Sequence, residues 1–383
     1  MGVNEILIKI NLYKFFVIAL FSALFSGSEI FAQNKDEANA VISYGRRNII
    51  TQTVAKSSPA VVGINAIQVR EYARTPFVND PIWSLLFPDR VFKQLVKSLG
   101  SGFIISSDGF VLTNSHVIED AEEVVVTLSD GTDHQAEIVG VDRTSDIALL
   151  KLEGKDFPFL EFGDSDDIII AEWVIALGNP FGLFDISKKP TATVGVVSGL
   201  DLDFGQQESG RVYQDMIQTD ASINSGNSGG PLLNAVGEVI GINTFIFTGS
   251  RFSEGSIGIG FAIPINRAVS VYKELQKYGK VDRSFWTGMD VRDLNRLVAK
   301  HFDLKTDEGV LITDVDKNSP ADKAGLMIGD IILKVNGDEV INDDDIFKII
   351  EENFLRAGDT LNMIIRRGNS ERAIKMVLGK PKR

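Results

Sequence analysis

The sequence predicts two folded domains, an all-β domain followed by a smaller α+β module. Three observations carry this prediction. Short β-rich segments bounded by Gly or Asp turns recur from Ala55 to Gly279 without long helical patterns between them, which is typical of a sandwich or a pair of barrels. A helical period appears at Ile265–Tyr278, and Gly279 marks its end. After Arg283, about 100 residues alternate strands with short helices, the size of one compact module.

The strands of the first domain are predicted from β-rich runs next to turn signals. They are residues 60–64, 102–105, 124–128, 147–152, 173–177, 193–198, 239–243 and 258–262. Ser107–Gly109 and Ser129–Gly131 are turn signals of the hairpin type. Two segments predict long loops, Val69–Ser98 with its three prolines and the polar Leu200–Arg211.

The second domain follows a similar logic on a smaller scale. Pro320 and Gly325 stand just inside the start and just past the end of a short predicted helix. Asn336-Gly337 is a strong hairpin signal, and Asp343–Phe354 has an amphipathic helical period. The predicted strands are residues 309–315, 331–335, 360–366 and 372–378.

The amino-acid composition excludes several classes of partner and cofactor. The 383-residue chain has a net charge of −13, which argues against nucleic acid as a partner because phosphate binding needs a basic face. It contains no cysteine, which excludes disulfides, Cys-ligated zinc and thiol nucleophiles, and only three histidines, which argues against a histidine metal site. We therefore expect no cofactor and no metal, and chemistry that uses oxygen nucleophiles and carboxylates.

The N-terminus predicts export. Lys9 and Lys14 precede an apolar block, Phe15–Phe25, and small residues follow as far as Ala32, the pattern of a secretory signal peptide spanning residues 1–32. The alternative is an uncleaved anchor in the inner membrane, although the block is shorter than the roughly 20 residues of a spanning helix. Either way the prediction is a periplasmic or otherwise extracytoplasmic protein, with domains at residues 33–282 and 283–383.

The run Gly226–Pro231 carries the first candidate for chemistry. Glycines surround Ser228 and allow backbone N–H groups to turn toward one point, as an oxyanion site requires. A flexible turn is the alternative reading of the same hexapeptide.

A serine nucleophile needs a base, and three histidines are available. His116 follows a predicted strand and is the candidate, although a lone histidine there is often structural. His134 lies on a polar strand edge, and His301 lies beside Lys300 in the second domain, where we expect it to face solvent.

The imidazole in turn needs a carboxylate that fixes its tautomer. Asp146 opens an apolar strand and is the candidate, with a strand-start role as the alternative. Asp142, expected to be solvated in a turn, and Asp220, expected to support the loop around Ser228, are the other choices. The chain order His116, Asp146, Ser228 is that of chymotrypsin-like proteases, and the context of the serine does not fit the elbow of an α/β-hydrolase.

Four separated motifs, in this order, are similar to those of the HtrA (Deg-type) trypsin-like serine proteases. They are Thr113–Val117, Thr144–Leu150, Ala176–Gly182 and Gln218–Pro231. Gly258–Pro264 resembles the strand after the specificity loop of that family, and the resemblance continues into a single PDZ-like module. Two departures, Ser115 for an asparagine and Ser225 for a proline, remove no catalytic group.

The resemblance implies a chymotrypsin-like double β-barrel followed by an α+β PDZ domain. It implies that Ser228 attacks the peptide carbonyl, His116 shuttles the proton and Asp146 orients His116. The N–H groups of Gly226 and Ser228 would form the oxyanion hole, with Asn227 shaping the turn.

The PDZ-like unit implies binding of peptide C-termini by strand addition, with the carboxylate loop at Trp286, Thr287, Gly288 and Met289. An ordinary strand start with a core tryptophan is the alternative. Family members are typically homotrimers that cleave unfolded or misassembled proteins without ATP, in protein quality control or the envelope stress response. With only one PDZ-like unit, a sensor-type protease is favoured over a large chaperone cage. A chaperone or scaffold, and a protease switched on by C-terminal peptides, are the competing functions.

Overall fold

The fold is described from a computed structural model. It describes residues 39, 42–74, 90–179, 189–224, 226–246, 258–294, 296–301 and 309–381. The chain divides into a short N-terminal unit, Met1–Lys56, and a second unit, Ser57–Arg383. Helix α1 spans Ile49–Ser57. No described helix is long and apolar enough to cross a membrane. The predicted signal peptide lies outside the described residues, so it stays a prediction.

Six strands of the second unit close into a first barrel, in the order β1-β2-β3-β6-β5-β4. They are β1 (Val61–Arg74), β2 (Arg90–Ile104), β3 (Phe110–Thr113), β4 (Glu123–Thr127), β5 (Asp133–Asp142) and β6 (Ile147–Leu152). Strand β6 is apolar except for Lys151 and is buried along most of its length. Every second residue from Ala148 to Leu152 shares a core with Val62, Ile104 and Val126. The predicted hairpin turns contain Gly109 and Gly131, both at positive φ.

The predicted loop Val69–Ser98 is wrong at both of its ends. Strand β1 continues to Arg74 and pairs with β2 in an unbroken antiparallel register from Val61↔Phe103 to Arg74↔Arg90. All three prolines lie between residues 75 and 89, which are outside the described residues. Proline interrupts a ladder only where it stands, so the flanking residues remain free to pair.

A second barrel has the strand order β11-β14-β13-β12-β7-β8. Its strands are β7 (Trp173–Gly178), β8 (Thr191–Leu202), β11 (Met216–Thr219), β12 (Pro231–Asn234), β13 (Val239–Ile246) and β14 (Gly260–Pro264). The predicted loop Leu200–Arg211 is wrong in part, because β8 extends into it and a small hairpin follows. That hairpin pairs β9 (Gly205–Gln206) with β10 (Val212–Tyr213) and belongs to neither barrel.

Helix α2 (Ile265–Tyr278) has the predicted bounds. Its apolar residues Ile265, Ala268, Val271 and Leu275 are buried. Gly279 caps its end in the left-handed conformation, at φ 70°, and donates its N–H to the carbonyl of Leu275. A glycine adopts this conformation without the cost that a side chain would add.

The C-terminal module is a sheet with short helices, as the sequence predicts. Its elements are β15 (Met289–Asp293), α3 (Arg296–His301), β16 (Val310–Val315), α4 (Pro320–Lys323), β17 (Ile331–Val335), β18 (Asp338–Glu339), α5 (Asp343–Glu352), β19 (Thr360–Arg367) and β20 (Ser370–Val377). Ser319 caps α4 and accepts the N–H of Asp322. Asn342 and Asp345 form a capping box at the start of α5. The module has its own core around Ile312, Ile332 and Leu361.

Candidate active site

His116 lies at the mouth of the first barrel, immediately after β3. Ser115–Val117 forms one turn of 3-10 helix, and the two neighbours of His116 in that turn, Ser115 and Val117, are buried. The side chain of His116 is 31% exposed, so one face of the imidazole is open to a substrate while the other is held by protein.

Asp146 faces this turn from the residue just before β6. Its backbone is in the left-handed region, at φ 58°, a conformation that aspartate tolerates better than most residues with a side chain. Two donors hold it there, because its carbonyl accepts the N–H of Ser115 at 3.1 Å and the side-chain amide of Asn114 at 2.9 Å. The turn that carries His116 therefore fixes the conformation of Asp146.

The side chains of His116 and Asp146 are in direct contact. His116 Nδ1 lies 2.7 Å from Asp146 Oδ2, and the backbone N–H of His116 donates to Oδ1 at 3.0 Å. Ser115 Oγ also donates to Oδ1, at 2.8 Å. A carboxylate on Nδ1 leaves Nε2 as the nitrogen that can accept a proton, which is the tautomer that a general base needs.

Three further donors reach the same carboxylate, and sequence reasoning missed all of them. Arg211 Nε donates to Asp146 Oδ1 at 3.2 Å, while Tyr213 OH and Thr244 Oγ1 donate to Oδ2 at 3.0 and 3.1 Å. Arg211 is the last residue of the predicted polar loop Leu200–Arg211, and Tyr213 lies two residues beyond its end. No local pattern points to them, because the chain separates them from Asp146 by 65 and 67 residues.

These donors decide the ionisation of Asp146. Its side chain is fully buried, and burial alone raises the pKa of a carboxyl group. The hydrogen bonds from His116 and Ser115, together with the charge of His116, outweigh burial and hold the pKa of Asp146 below its usual range. The carboxylate is therefore ionised at neutral pH and can stabilise an imidazolium.

Ser228 approaches from the second barrel, in the loop before β12, and that loop is joined to the first barrel through Ser101. Ser101 Oγ donates to the carbonyl of Gly226 at 2.5 Å, and the N–H of Ser101 donates to the carbonyl of Ser228 at 2.9 Å. Gly229 has φ 85°, and a Cβ there would lie 2.2 Å from the carbonyl oxygen of Ser101. Glycine is therefore required where the loop passes β2.

The hydroxyl of Ser228 is bonded to Thr244. Ser228 Oγ donates to the Thr244 carbonyl at 2.8 Å, and Thr244 Oγ1 in turn contacts Asp146. Thr244 therefore links the loop of Ser228 to the His116–Asp146 pair. Among the described contacts, Ser228 Oγ makes none with His116. The hydroxyl must leave Thr244 before it can donate to the imidazole, and such hydrogen bonds often form only with substrate present.

The residues predicted for the oxyanion hole surround this serine. Within the described contacts, the N–H groups of Gly226 and Ser228 are bonded to no acceptor, which is what an oxyanion site requires. Asn227 is buried and donates its N–H to Asn224 at 2.9 Å. Its side-chain amide has no partner among the described residues and lies against Gly178. The roles of these residues stay predictions.

Comparisons with known proteins agree with this architecture. Residues 100–242 match the trypsin-like peptidase domain and residues 287–378 match the PDZ domain. A probable periplasmic serine endoprotease DegP-like from Ectopseudomonas mendocina is 40% identical over 347 residues, which is 86% of this chain and 70% of that protein. The chain belongs to the HtrA family of serine proteases.

Other members support the assignment. A DegP-like relative from Pseudomonas putida is 46% identical over 276 residues, 72% of this chain and 55% of that protein. The solved structure of the HtrA-type protease AlgW with decapeptide has a TM-score of 0.60 at 32% identity and covers 87% of this chain and 99% of that one. The serine endoprotease from Yersinia pestis has a TM-score of 0.53 at 30% identity, covering 87% and 98%. The protein is accordingly an extracytoplasmic serine endopeptidase with a PDZ domain, as the sequence predicts.

The structure places the predicted carboxylate loop of the PDZ domain between two turns. The carbonyls of Trp286, Thr287 and Gly288 accept hydrogen bonds from the N–H groups of Gly379, Ala321 and Asp316, at 2.9, 3.0 and 2.9 Å. Gly288 has φ 69°. Within the described contacts the N–H groups of Thr287 and Gly288 have no acceptor. Because its carbonyls are already hydrogen-bonded, this loop can offer the N–H groups of Thr287 and Gly288 to an anion such as a C-terminal carboxylate.

The other candidate carboxylates are placed elsewhere. Asp142 was expected to be solvated, which is wrong, because it is buried and forms an ion pair with Arg283 at the start of the second domain. Asp220 was expected to support the loop of Ser228, but its carboxylate accepts the N–H of Val196 in β8 at 2.7 Å.

His134 does not join the site described above. His134 makes an edge contact with Phe157 and lies 3.5 Å from Thr132 Oγ1. The side chain of His301 lies outside the described residues, so its expected exposure stays a prediction.

Proposed function

We propose that this protease cleaves peptide bonds by acyl transfer, with Ser228 as nucleophile, His116 as general base and Asp146 as the group that orients His116. One observation carries the proposal: His116 Nδ1 lies 2.7 Å from the buried carboxylate of Asp146, and Thr244 connects that pair to Ser228 across the junction of the two barrels. These contacts support the proposal because they link His116, Asp146 and Ser228, which come from three distant parts of the chain.

The chemistry follows from this geometry. When a substrate carbonyl reaches Ser228, the hydroxyl leaves Thr244 and transfers its proton to Nε2 of His116 as the oxygen attacks. Asp146 stabilises the imidazolium that forms. The negative oxygen of the tetrahedral intermediate is stabilised by the N–H groups of Gly226 and Ser228. His116 then protonates the departing amine, and water hydrolyses the acyl-enzyme by the same route.

The proposed substrates are unfolded or misassembled proteins, cut without ATP in quality control of the cell envelope. The proposed ligands of the PDZ domain are peptide C-termini bound at Trp286–Met289. We also propose a homotrimer, with the N-terminal segment either removed as a signal peptide or kept as an anchor in the inner membrane. Support comes from the resemblance of the motifs and from the apolar block Phe15–Phe25.

Replacing Ser228 by Ala tests the reaction. Cleavage of unfolded casein should fall roughly a million-fold, because Ser228 supplies the attacking oxygen. Ser222→Ala is the matched control, since that serine lies in the same loop and contributes its carbonyl, not its hydroxyl, to the contact with Thr193. Casein cleavage at the parent rate by Ser228→Ala would eliminate the proposed mechanism. If that variant lacks cleavage but suppresses aggregation as well as the parent, the chaperone function gains support beside the protease.

A protease switched by C-terminal peptides is the second candidate, and the contacts between the domains favour it. Arg283 pairs with Asp142, and Arg356 pairs with Glu274 of helix α2. Gln206 of the β9–β10 hairpin donates its backbone N–H to Glu352 of α5 at 2.8 Å. Peptides with a free C-terminus should raise the rate of casein cleavage, whereas the same peptides amidated should not. Equal rates with both forms would reject the switch.

A further inference from the structure

Two side chains that no motif of the sequence indicates enclose the carboxylate of Asp146. Arg211 and Tyr213 both belong to the β9–β10 hairpin, which is outside the two barrels. We propose that Arg211 and Tyr213 are positioning residues of the peptidase, which hold the Asp146 carboxylate in the orientation that His116 requires. This inference rests on the proposed roles of His116, Asp146 and Ser228.

The first step is the placement of the hairpin. Val212 donates its N–H to the carbonyl of Thr144 at 2.8 Å, so the strand passes directly beside the turn that contains Asp146. Side chains two residues apart on a strand project to the same face. Arg211 and Tyr213 flank Val212 and therefore both point to the carboxylate, which the distances of 3.2 and 3.0 Å confirm.

The second step is the geometry of the carboxylate. Each oxygen of Asp146 accepts three hydrogen bonds, of which Arg211 supplies one to Oδ1 and Tyr213 one to Oδ2. Rotation of the carboxylate about its Cβ–Cγ bond would break bonds on both oxygens. Arg211 and Tyr213 thus restrain the carboxylate together with the hydrogen bonds from Ser115 and His116.

The third step is the second contact of Arg211. Its Nη2 donates to Glu119 Oε2 at 2.5 Å, three residues after His116, while Nε holds Asp146. The guanidinium therefore ties the segment that carries the base to the residue that orients it. The Arg211 side chain is only 12% exposed and that of Asp146 is fully buried, so solvent screens the contact between these two weakly. A planar guanidinium can make both contacts at once, which the single ammonium of lysine does less well.

Electrostatics supports the same assignment. The charged and titratable groups around the carboxylate are His116, Arg211 and Tyr213, with Glu119 on the far side of Arg211. Burial and the neighbouring carboxylate raise the pKa of Tyr213, so its hydroxyl stays a donor at any pH where the enzyme works. Burial lowers the pKa of Arg211, but its bond to Glu119 and the charge of Asp146 outweigh this and raise it.

Three variants and one control test the proposal. Tyr213→Phe removes a single hydroxyl and keeps the ring, so it should fold like the parent. Arg211→Gln removes the charge and the bridge, and Arg211→Lys keeps the charge. Arg143→Gln is the control, because the Arg143 side chain also pairs with Glu119 but is 68% exposed and makes no described contact with Asp146, whose N–H is bonded only to the Arg143 backbone carbonyl. The measurements are kcat and KM for casein across pH, active-site counting with a fluorophosphonate, and thermal melting by circular dichroism.

The expected result separates positioning from folding. Tyr213→Phe and Arg211→Gln should lower kcat roughly 10-fold, with KM little changed, as for the loss of a charged hydrogen bond. The acidic limb of kcat/KM should move up by roughly 0.5 pH unit, because removing a positive or hydrogen-bonding group beside Asp146 favours the imidazolium. Arg211→Lys should restore the position of the limb but only part of kcat. Arg143→Gln should match the parent.

Two results would overturn the inference. One is a parent-like kcat and acidic limb in both Tyr213→Phe and Arg211→Gln. The other is a loss of activity fully explained by fewer fluorophosphonate-reactive sites with the limb in place, which would mean that the residues only stabilise the fold. The proposed function fails by a different result, namely that Ser228→Ala stays active. Each failure can thus be recognised without the other.

Discussion

The two halves of the candidate site are built differently. In the first barrel, Asp146 is fully buried, accepts six hydrogen bonds and holds His116 at 2.7 Å. In the second barrel, Ser228 Oγ is bonded to a backbone carbonyl, and the buried amide of Asn227 has no partner among the described residues. The proposed base His116 is therefore already held by its carboxylate, whereas the proposed nucleophile Ser228 has to leave the Thr244 carbonyl first. Control of activity is easier to exert on the second half.

Asp146→Asn should break the assembled half and give the largest effect. An amide in place of the carboxylate cannot accept the imidazole N–H and remain bonded to its other donors, so His116 is held in the wrong tautomer. We expect kcat to fall roughly 10⁴-fold. Asp330→Asn is the control, because Asp330 is equally buried and bonded to Arg367, but in the PDZ domain. If casein cleavage falls by a similar factor in Asp146→Asn and Asp330→Asn, the loss of a buried carboxylate, and not a catalytic role of Asp146, explains the effect.

Gly229→Ala should disturb the nucleophile half. The added Cβ meets the Ser101 carbonyl and Thr113 Oγ1, each at 2.2 Å, and the backbone is left-handed. The loop must shift, and a shift of about 1 Å in a reacting group costs roughly 100-fold in kcat. Gly358→Ala carries the same backbone strain at φ 105° with no atom within 4 Å, so it should retain activity. Equal activity of Gly229→Ala and parent would contradict the fit of the loop.

Thr244→Val affects the link between the halves. It removes one donor to Asp146 and keeps the carbonyl that binds Ser228 Oγ. We expect kcat to fall roughly 10-fold and Thr244→Ser to restore it. Thr219→Val, which loses a comparable buried hydroxyl bonded to the Val196 carbonyl, provides the reference. If Thr244→Val and Thr219→Val lower kcat by the same factor, the contact between Thr244 and Asp146 has no catalytic role beyond that of any buried hydroxyl.

The dependence of stability on pH should show the smallest effect. The pKa of Asp146 is lowered in the folded protein, so the ionised carboxylate stabilises the fold at neutral pH. That contribution is fully present above the unfolded pKa of about 4 and is lost as pH falls through the lowered folded pKa. Denaturant titrations should therefore show a steeper loss of free energy of unfolding below about pH 4 in the parent than in Asp146→Asn. Parallel curves would mean that Asp146 does not contribute.

Local sequence patterns predicted most of the fold because strand formation and helix termination depend on residues that are close together in the sequence. The apolar segment Ile147–Leu152, interrupted only by Lys151, and the helix-ending Gly279 predicted strand β6 and helix α2 with their observed bounds. The ladder on either side of residues 75–89 was missed because prolines were given weight beyond their own positions. The short strands β9 and β10 were missed because two-residue pairings leave no period in the sequence.

The candidate site was predictable only in part. The glycines around Ser228 and the order of the three residues point to His116 and Asp146, and the structure brings that pair together. Asp142 was misplaced because its partner Arg283 lies 141 residues away. Arg211 and Tyr213 were not predicted for the same reason. Asp146 is 65 and 67 residues away from them, and the neighbouring sequence does not indicate which carboxylate they contact.

The position of Ser101 has a consequence for heat resistance. Its hydroxyl accepts the N–H of Asn179 at 2.7 Å and donates to Gly226, so one buried atom joins strand β2 to two loops of the second barrel. Separating the barrels would break both hydrogen bonds and release the Gly226 end of the loop that carries Ser228. Irreversible loss of activity should therefore coincide with the main calorimetric transition, and the enzyme should remain a working protease up to the temperature at which it melts.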